Sequence, residues 1–303
     1  MSAMPHPGQQ PQRIPSAKVP RPPASAMVAL CDTYDGYLAK ATKARATLLR
    51  RYEPKALHAW RVNLRRLTAT LDHVASALPG EQPGGLLDQL KQFRNATGGA
   101  RDLDILMDET LPAFVNCGEH GDRIDQALLH ALNAKRVQLH RDTVEGLKKT
   151  RLTMPTHTFH AWVDVHRGVT DDELRAAAGH LIDSRVRQLR KRAARMHDNR
   201  ERLHRARTAT KKLRYTLELF QPLFPRDATQ AWLDRLAEVQ THLGEAHDRL
   251  TARALCKELL PEAKDHPQLK ALRRWTKHTA ADAAGKAEKS LDHLWKLGHH
   301  WRH

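Results

Sequence analysis

The feature that most constrains this chain is a long internal repeat. Displacing the sequence by 146 residues lays positions 57–102 over 203–248 without a gap. Thirteen of those 46 pairs are identical, where unrelated sequence would give about three. Leu57, His58, Arg61, Leu67, Gly98 and Asp102 meet Leu203, His204, Arg207, Leu213, Gly244 and Asp248. A constant offset over such a stretch means a duplicated structural unit, so the two halves should fold alike.

The unit is helical. From residue 26 onward, apolar residues recur three and four apart among Ala, Leu, Arg, Lys and Glu. Strand-like alternation is nearly absent, so the spacing predicts an all-α chain. Breakers stand at Glu53-Pro54, Pro79-Gly80, Pro83-Gly84-Gly85, Gly98-Gly99 and 118–121, and later at Pro222, Pro225, Gly244, Pro261 and Pro267. They predict about four helices in each half, some bent at a glycine, which suits two antiparallel bundles. The expected organisation is a first four-helix bundle over 25–150, a linker over 151–170 and a second bundle over 171–303. The first 23 residues hold seven of the sixteen prolines, so 1–24 reads as a disordered, weakly basic tail. No apolar run is long enough for a membrane span or a secretory segment, which points to a cytoplasmic protein. Cys31, Cys117 and Cys256 form no CxxC pair and suggest neither a disulfide framework nor a cysteine zinc site.

Charge says what was doubled. The chain carries a formal net charge of +17 with 20 histidines, so its default partner is a polyanion: nucleic acid, an acidic membrane surface or a phosphate polymer. On a helix, His58, Arg61 and Arg65 fall within roughly 60° of one another, beside an apolar stripe of Trp60, Leu64, Leu67 and Leu71, with Arg66 on the far flank. In the second copy His204, Arg207, Lys211 and Arg214 form the cationic stripe beside Ala206, Leu213 and Leu217, and Lys212 repeats Arg66. A solvated face is the ordinary reading of one such helix. Like charges four apart cost stability, however, and no interleaved carboxylate is evident along the stripes. The same cost at matching places in both copies points to a site filled by an anion.

His58-x-x-Arg61-x-x-x-Arg65-Arg66-Leu67, followed by Gly98-x-x-Arg101-Asp102-Leu103-Asp104, resembles the signature of the CHAD domain, the conserved histidine α-helical domain. His204-x-x-Arg207-x-x-x-Lys211-Lys212-Leu213-Arg214-Tyr215, with Leu243-Gly244-x-x-His247-Asp248, resembles its second half. The resemblance implies two four-helix bundles related by a pseudo-twofold axis around a basic central groove or pore. It also implies inorganic polyphosphate as ligand and association with polyphosphate granules. The implied polyphosphate-binding residues are His58, Arg61, Arg65, Arg66, Lys91, Arg94, His204, Arg207, Lys211, Lys212 and Arg214. Thr68 stands where the motif often has a further arginine that the second copy keeps as Arg214. Thr97 replaces the leucine before the glycine, and Ala237 stands opposite Lys91.

The chemistry of those side chains suits the ligand. Arginine grips phosphate oxygens bidentately, and lysine meets them as a point charge. Two rows of donors on rigid helices fit an extended, featureless chain. Asp102, Asp104 and Asp248 would be repelled by it and are expected to brace the basic side chains. No cofactor, bound metal or catalysis is expected. One alternative is a metal-dependent phosphohydrolase built on His247-Asp248, whose internal counterpart is Arg101-Asp102; P-loop, HExxH and GxSxG patterns are missing. Another is weak non-specific nucleic-acid binding, for which the 5% aromatic content offers few stacking platforms. A third is metal storage at His293, His299, His300 and His303, a cluster expected instead to be a frayed basic end.

Overall fold

The computed structural model describes residues 26–78, 84–118, 123–166, 168–196, 200–259 and 266–302; the expected tail at 1–24 lies outside them. Among the described residues the chain is helical and has no strand. It opens with α1 (Ala26–Arg50) and α2 (Pro54–Ala77), whose Pro54 sits in the first turn, where a missing N–H costs nothing. Next come α3 (Gly84–Asn95), α4 (Gly98–Ile105), a π-helical turn at Leu106–Thr110, α5 (Leu111–Asn116) and α6 (Gln126–Lys148). The later helices are α7 (Thr153–Val165), α8 (Asp171–Ala193), α9 (Arg200–Phe220), α10 (Arg226–Leu259) and α11 (Pro267–Leu294), and a 3-10 turn, His300–Arg302, closes the chain. Local signals fix several ends. Asp125 accepts from the backbone N–H of Ala127 and Leu128 at the start of α6. Thr170 and Glu173 form a reciprocal capping box on α8.

The stretch 151–170 is more than a connection. It contains α7, whose buried Phe159 stacks on Tyr34 of α1 with ring centroids 3.9 Å apart. An aromatic pair of that kind pulls an amphipathic segment into the core. The main core likewise runs through both halves, from Leu30 and Tyr34 through Leu64 and Leu71 to Leu213, Leu236 and Leu291. A smaller cluster joins Leu106, Phe114 and Leu132 to Cys256, Leu269 and Leu272. The halves therefore share their buried surface. Helices α2 and α9 pack directly, with His73 fully buried beside the hydroxyl of Thr216.

The two copies differ at the joint after α3. In the first, the chain breaks between α3 and α4; in the second, α10 passes through Gly244 without interruption. Two glycines, Gly98 and Gly99, follow the break, where the second copy has Gly244-Glu245, and Thr97 stands at it. Its hydroxyl donates to the Arg94 carbonyl at 2.9 Å, closing off α3. The equivalent Leu243 is buried without a hydroxyl, and the helix continues through it.

The C-terminal histidines are not a frayed end. Trp301, 4% exposed, donates its indole N–H to Asp183 at 2.7 Å, and Arg302 grips the same carboxylate. His300 meets the hydroxyl of Thr229 at 2.8 Å. His299 stacks on Trp301, and His293 is exposed in the last turn of α11. His303 lies outside the described residues. Burial of an aromatic side chain anchors what net charge alone would have left loose.

Candidate anion-binding groove

Helices α2 and α9 turn their leucines to the core and their cations toward one shared space. A groove of about 1380 Å³ is lined by both copies at equivalent positions: His58 and His204, Arg61 and Arg207, Arg65 and Lys211, Arg66 and Lys212, Arg101 and His247, Asp102 and Asp248. Lys91 and Arg94 enter from α3, and Arg214 lies opposite Thr68. Every candidate contact residue from the sequence lines this groove. Asp102 and Asp248 do so too.

Asp104 does not. It is 0% exposed and accepts from Tyr52 Oη at 2.8 Å, Arg136 Nε at 2.9 Å and His140 Nε2 at 2.8 Å. Burial works against its ionisation, but hydrogen bonds from His140 and Tyr52 and the nearby Arg136 hold its carboxyl below the usual range. Instead of bracing the stripe cations, it ties α4 to α6 and to the turn after α1. Two residues further along a helix than Asp102, it faces the other side.

Carboxylates do relieve part of the cationic stripes, contrary to expectation. Glu218 lies 2.8 Å from Arg214 on α9 and 3.4 Å from Arg66 on α2. Asp72 lies 3.0 Å from Arg185 and 3.4 Å from Lys212. Positions 72 and 218 are repeat equivalents, as are 66 and 212. Each copy's cation thus pairs with the other copy's acid. Arg66 is further held between the rings of Tyr37 and Tyr215, at 5.2 and 5.7 Å.

Toward the middle of the groove, relief is thinner. Arg61 donates to the Arg94 carbonyl at 2.5 Å and to Thr97 Oγ1 at 3.1 Å, so it holds the end of α3 as well as facing the groove. Arg207 stands 4.0 Å from Asp248. Burial raises the carboxyl pKa of Asp102 and Asp248, and neighbouring arginines only partly offset it. Lys211 is 8% exposed. Burial, then Arg65 and Arg207, push its ammonium down to about 6, with Asp248 opposing. His58 is lowered by burial, Arg101 and Arg65, and His204 by burial, Arg207 and Lys211. His247, its ring 5.0 Å from that of His204, is driven by burial and by Arg207 to about 3.

Several groove residues were missed from the sequence. Arg101 and His247 stood at equivalent places inside the repeated motif, and that doubling was the available signal. Arg200, Arg249 and Asp72 also line the groove. Arg249, stacked 4.6 Å over Trp275, carried no such mark. Within the candidate His247-Asp248 pair, His247 faces His204 and Asp248 faces Arg207. Among the described residues no group of three or more His, Cys, Asp or Glu is placed to hold a metal ion, and no helix is long and apolar enough to cross a membrane.

Comparison with known proteins places this architecture. The chain is similar to the crystal structure of the CHAD domain from the plant Ricinus communis, with 26% identity, 91% of this chain and 93% of that one covered, and a TM-score of 0.67. PptA from Streptomyces chartreusis shares the fold at 16% identity, with 90% of this chain and all (100%) of that one covered and a TM-score of 0.55. A search of curated proteins finds no match. The model of the CHAD domain matches residues 34–257, from α1 through the end of α10. With most of its length covered and both copies of the repeat inside the match, the chain belongs to the CHAD domain family.

Proposed function

We propose that this protein binds inorganic polyphosphate in the groove between α2 and α9, holding the chain without cleaving it. One observation carries the reading: repeat-equivalent cations from both copies line a single space. An extended polyanion laid there meets arginine forks and lysine point charges borne on helices. The CHAD membership supports the ligand. The two halves face each other about a pseudo-twofold axis, which the exchanged Arg66–Glu218 and Lys212–Asp72 pairs support. Asp102 and Asp248 lie among arginines as counter-charges, and catalysis has no part in the reading. Granule association follows from affinity for the polymer.

The test is competition. Labelled long-chain polyphosphate is displaced by DNA, RNA or short phosphates at near-physiological salt. Unlabelled polyphosphate should compete far better than either nucleic acid, because among the described residues Tyr215 is the one Phe, Tyr or Trp in the groove lining and stacking adds little. Equal competition by DNA would make the protein a general polyanion binder. Phosphate release from polyphosphate on adding a divalent metal would establish the phosphohydrolase instead.

A further inference from the structure

The two walls of the groove differ in the cations they carry at equivalent places. At three equivalent pairs the first copy has arginine, at 65, 66 and 101, and the second has lysine or histidine, at 211, 212 and 247. Arginine keeps its charge in any surroundings. Lysine and histidine keep theirs only where an anion or water supports it.

Lys211 has no close anion, and its side chain is largely packed, meeting solvent only at the groove. Only 8% of it is exposed, and among the described residues no carboxylate oxygen lies within 4.0 Å of its Nζ. His58 and Arg65 face it from α2, Arg94 from α3, His204 and Arg207 from α9, and His247 and Asp248 from α10. One acid stands among many bases. His247 is in similar company: Arg200, His204, Arg207 and Lys211 surround it, and its Nδ1 is buried with no hydrogen-bond partner. What both lack is an anion, and the open groove is where one would lie.

We propose, building on the polyphosphate reading above, that the second-copy wall takes up protons as the polyanion enters, with Lys211 the main acceptor, so that charge acquired on binding adds to the permanent charge of the arginines on both walls. The step moves one proton from solvent or buffer onto the Nζ lone pair and changes no bond to phosphorus. Its direction follows from the free protein, where Lys211 titrates at about 6. A phosphate oxygen beside Nζ raises that value. Between the two values the complex holds one more proton than the free protein, so affinity falls as pH rises. Below about 6 the free lysine is already charged and this dependence vanishes. His247, lowered further, acts only in more acidic solution.

The experiment is calorimetric titration of full-length protein with long-chain sodium polyphosphate at constant ionic strength. Two buffers of different ionisation enthalpy are used at each pH from 5.5 to 8.5. About one proton should be taken up per bound chain at pH 7.5, and affinity should fall about tenfold per pH unit above 7. Lys211→Arg, which gives the second wall the residue of the first, should remove about one proton of uptake and flatten the profile. Absence of uptake in the wild-type protein overturns the inference, as does undiminished uptake in Lys211→Arg; either leaves polyphosphate binding standing. Absence of binding at every pH would overturn the polyphosphate reading and this inference with it.

Discussion

Lys211 occupies a place where folding and binding oppose each other. A buried ammonium between two guanidinium groups costs the folded state, because water is withdrawn and no carboxylate replaces it. In the unfolded chain the same lysine titrates near its ordinary 10.5. Between about 6 and that value the unfolded state holds the extra proton, so this residue makes the free protein more stable as pH rises. Lys211→Met should raise the melting temperature at pH 6, by about 1 kcal/mol or more of stability. It should also shrink the rise in melting temperature from pH 6 to pH 9 relative to the parent. An identical pH profile in the two proteins would show that Lys211 stays charged in the fold. At this scale the sequence revealed which residue types share a helix face. It did not reveal Asp72 or Glu218 as partners, because those contacts depend on where α2 crosses α9.

Among the elements, the closing turn offers the sharpest steric test. A Cβ on Gly179 of α8 would stand 2.8 Å from the Trp301 carbonyl oxygen, a backbone atom with little room to yield. Gly179→Ala should therefore lift the 300–302 turn off α8, weakening the Trp301–Asp183 hydrogen bond and costing about 1–3 kcal/mol. Melting temperature and quenching of tryptophan fluorescence would report it. No loss of stability would mean that the turn shifts freely. Helix positions were legible from proline, glycine and the 3.6-residue period. The break at Gly98-Gly99 was among them, but the run of α10 through Gly244, expected as a breaker, was not. Nor was α7, whose docking depends on Phe159 meeting Tyr34 across 125 residues.

For the whole molecule, the shared groove predicts stoichiometry and salt response. Arg65→Glu with Lys91→Glu reverses charge on the first wall without touching Arg61, which holds the end of α3. Arg200→Glu with His204→Glu alters the second. Each double change should weaken polyphosphate binding about 100-fold, because the second row acts as an intramolecular contact. Calorimetry should show one medium-length chain per wild-type protein. Two chains per protein, with each variant keeping one intact site, would separate the walls. If about eight phosphates are neutralised, the log–log salt slope should be roughly −5 to −6; a slope near zero would remove the electrostatic account. The repeat on its own sets the expectation of two like halves. Their continuous core was hidden, because periodicity marks a buried face without saying which helix covers it.

The exchanged ion pairs bear on how this chain can change over time. Arg66 depends on Glu218 and Lys212 on Asp72, so each repeat keeps its partner's counter-ion. A duplicated gene normally frees one copy to drift while the other holds the ancestral role. Here a neutralising change at position 72 leaves Lys212, in the other repeat, and Arg185 on α8 without their shared carboxylate. Tolerated change should therefore arrive in cross-repeat couples, and the two halves are bound to diverge as one lineage.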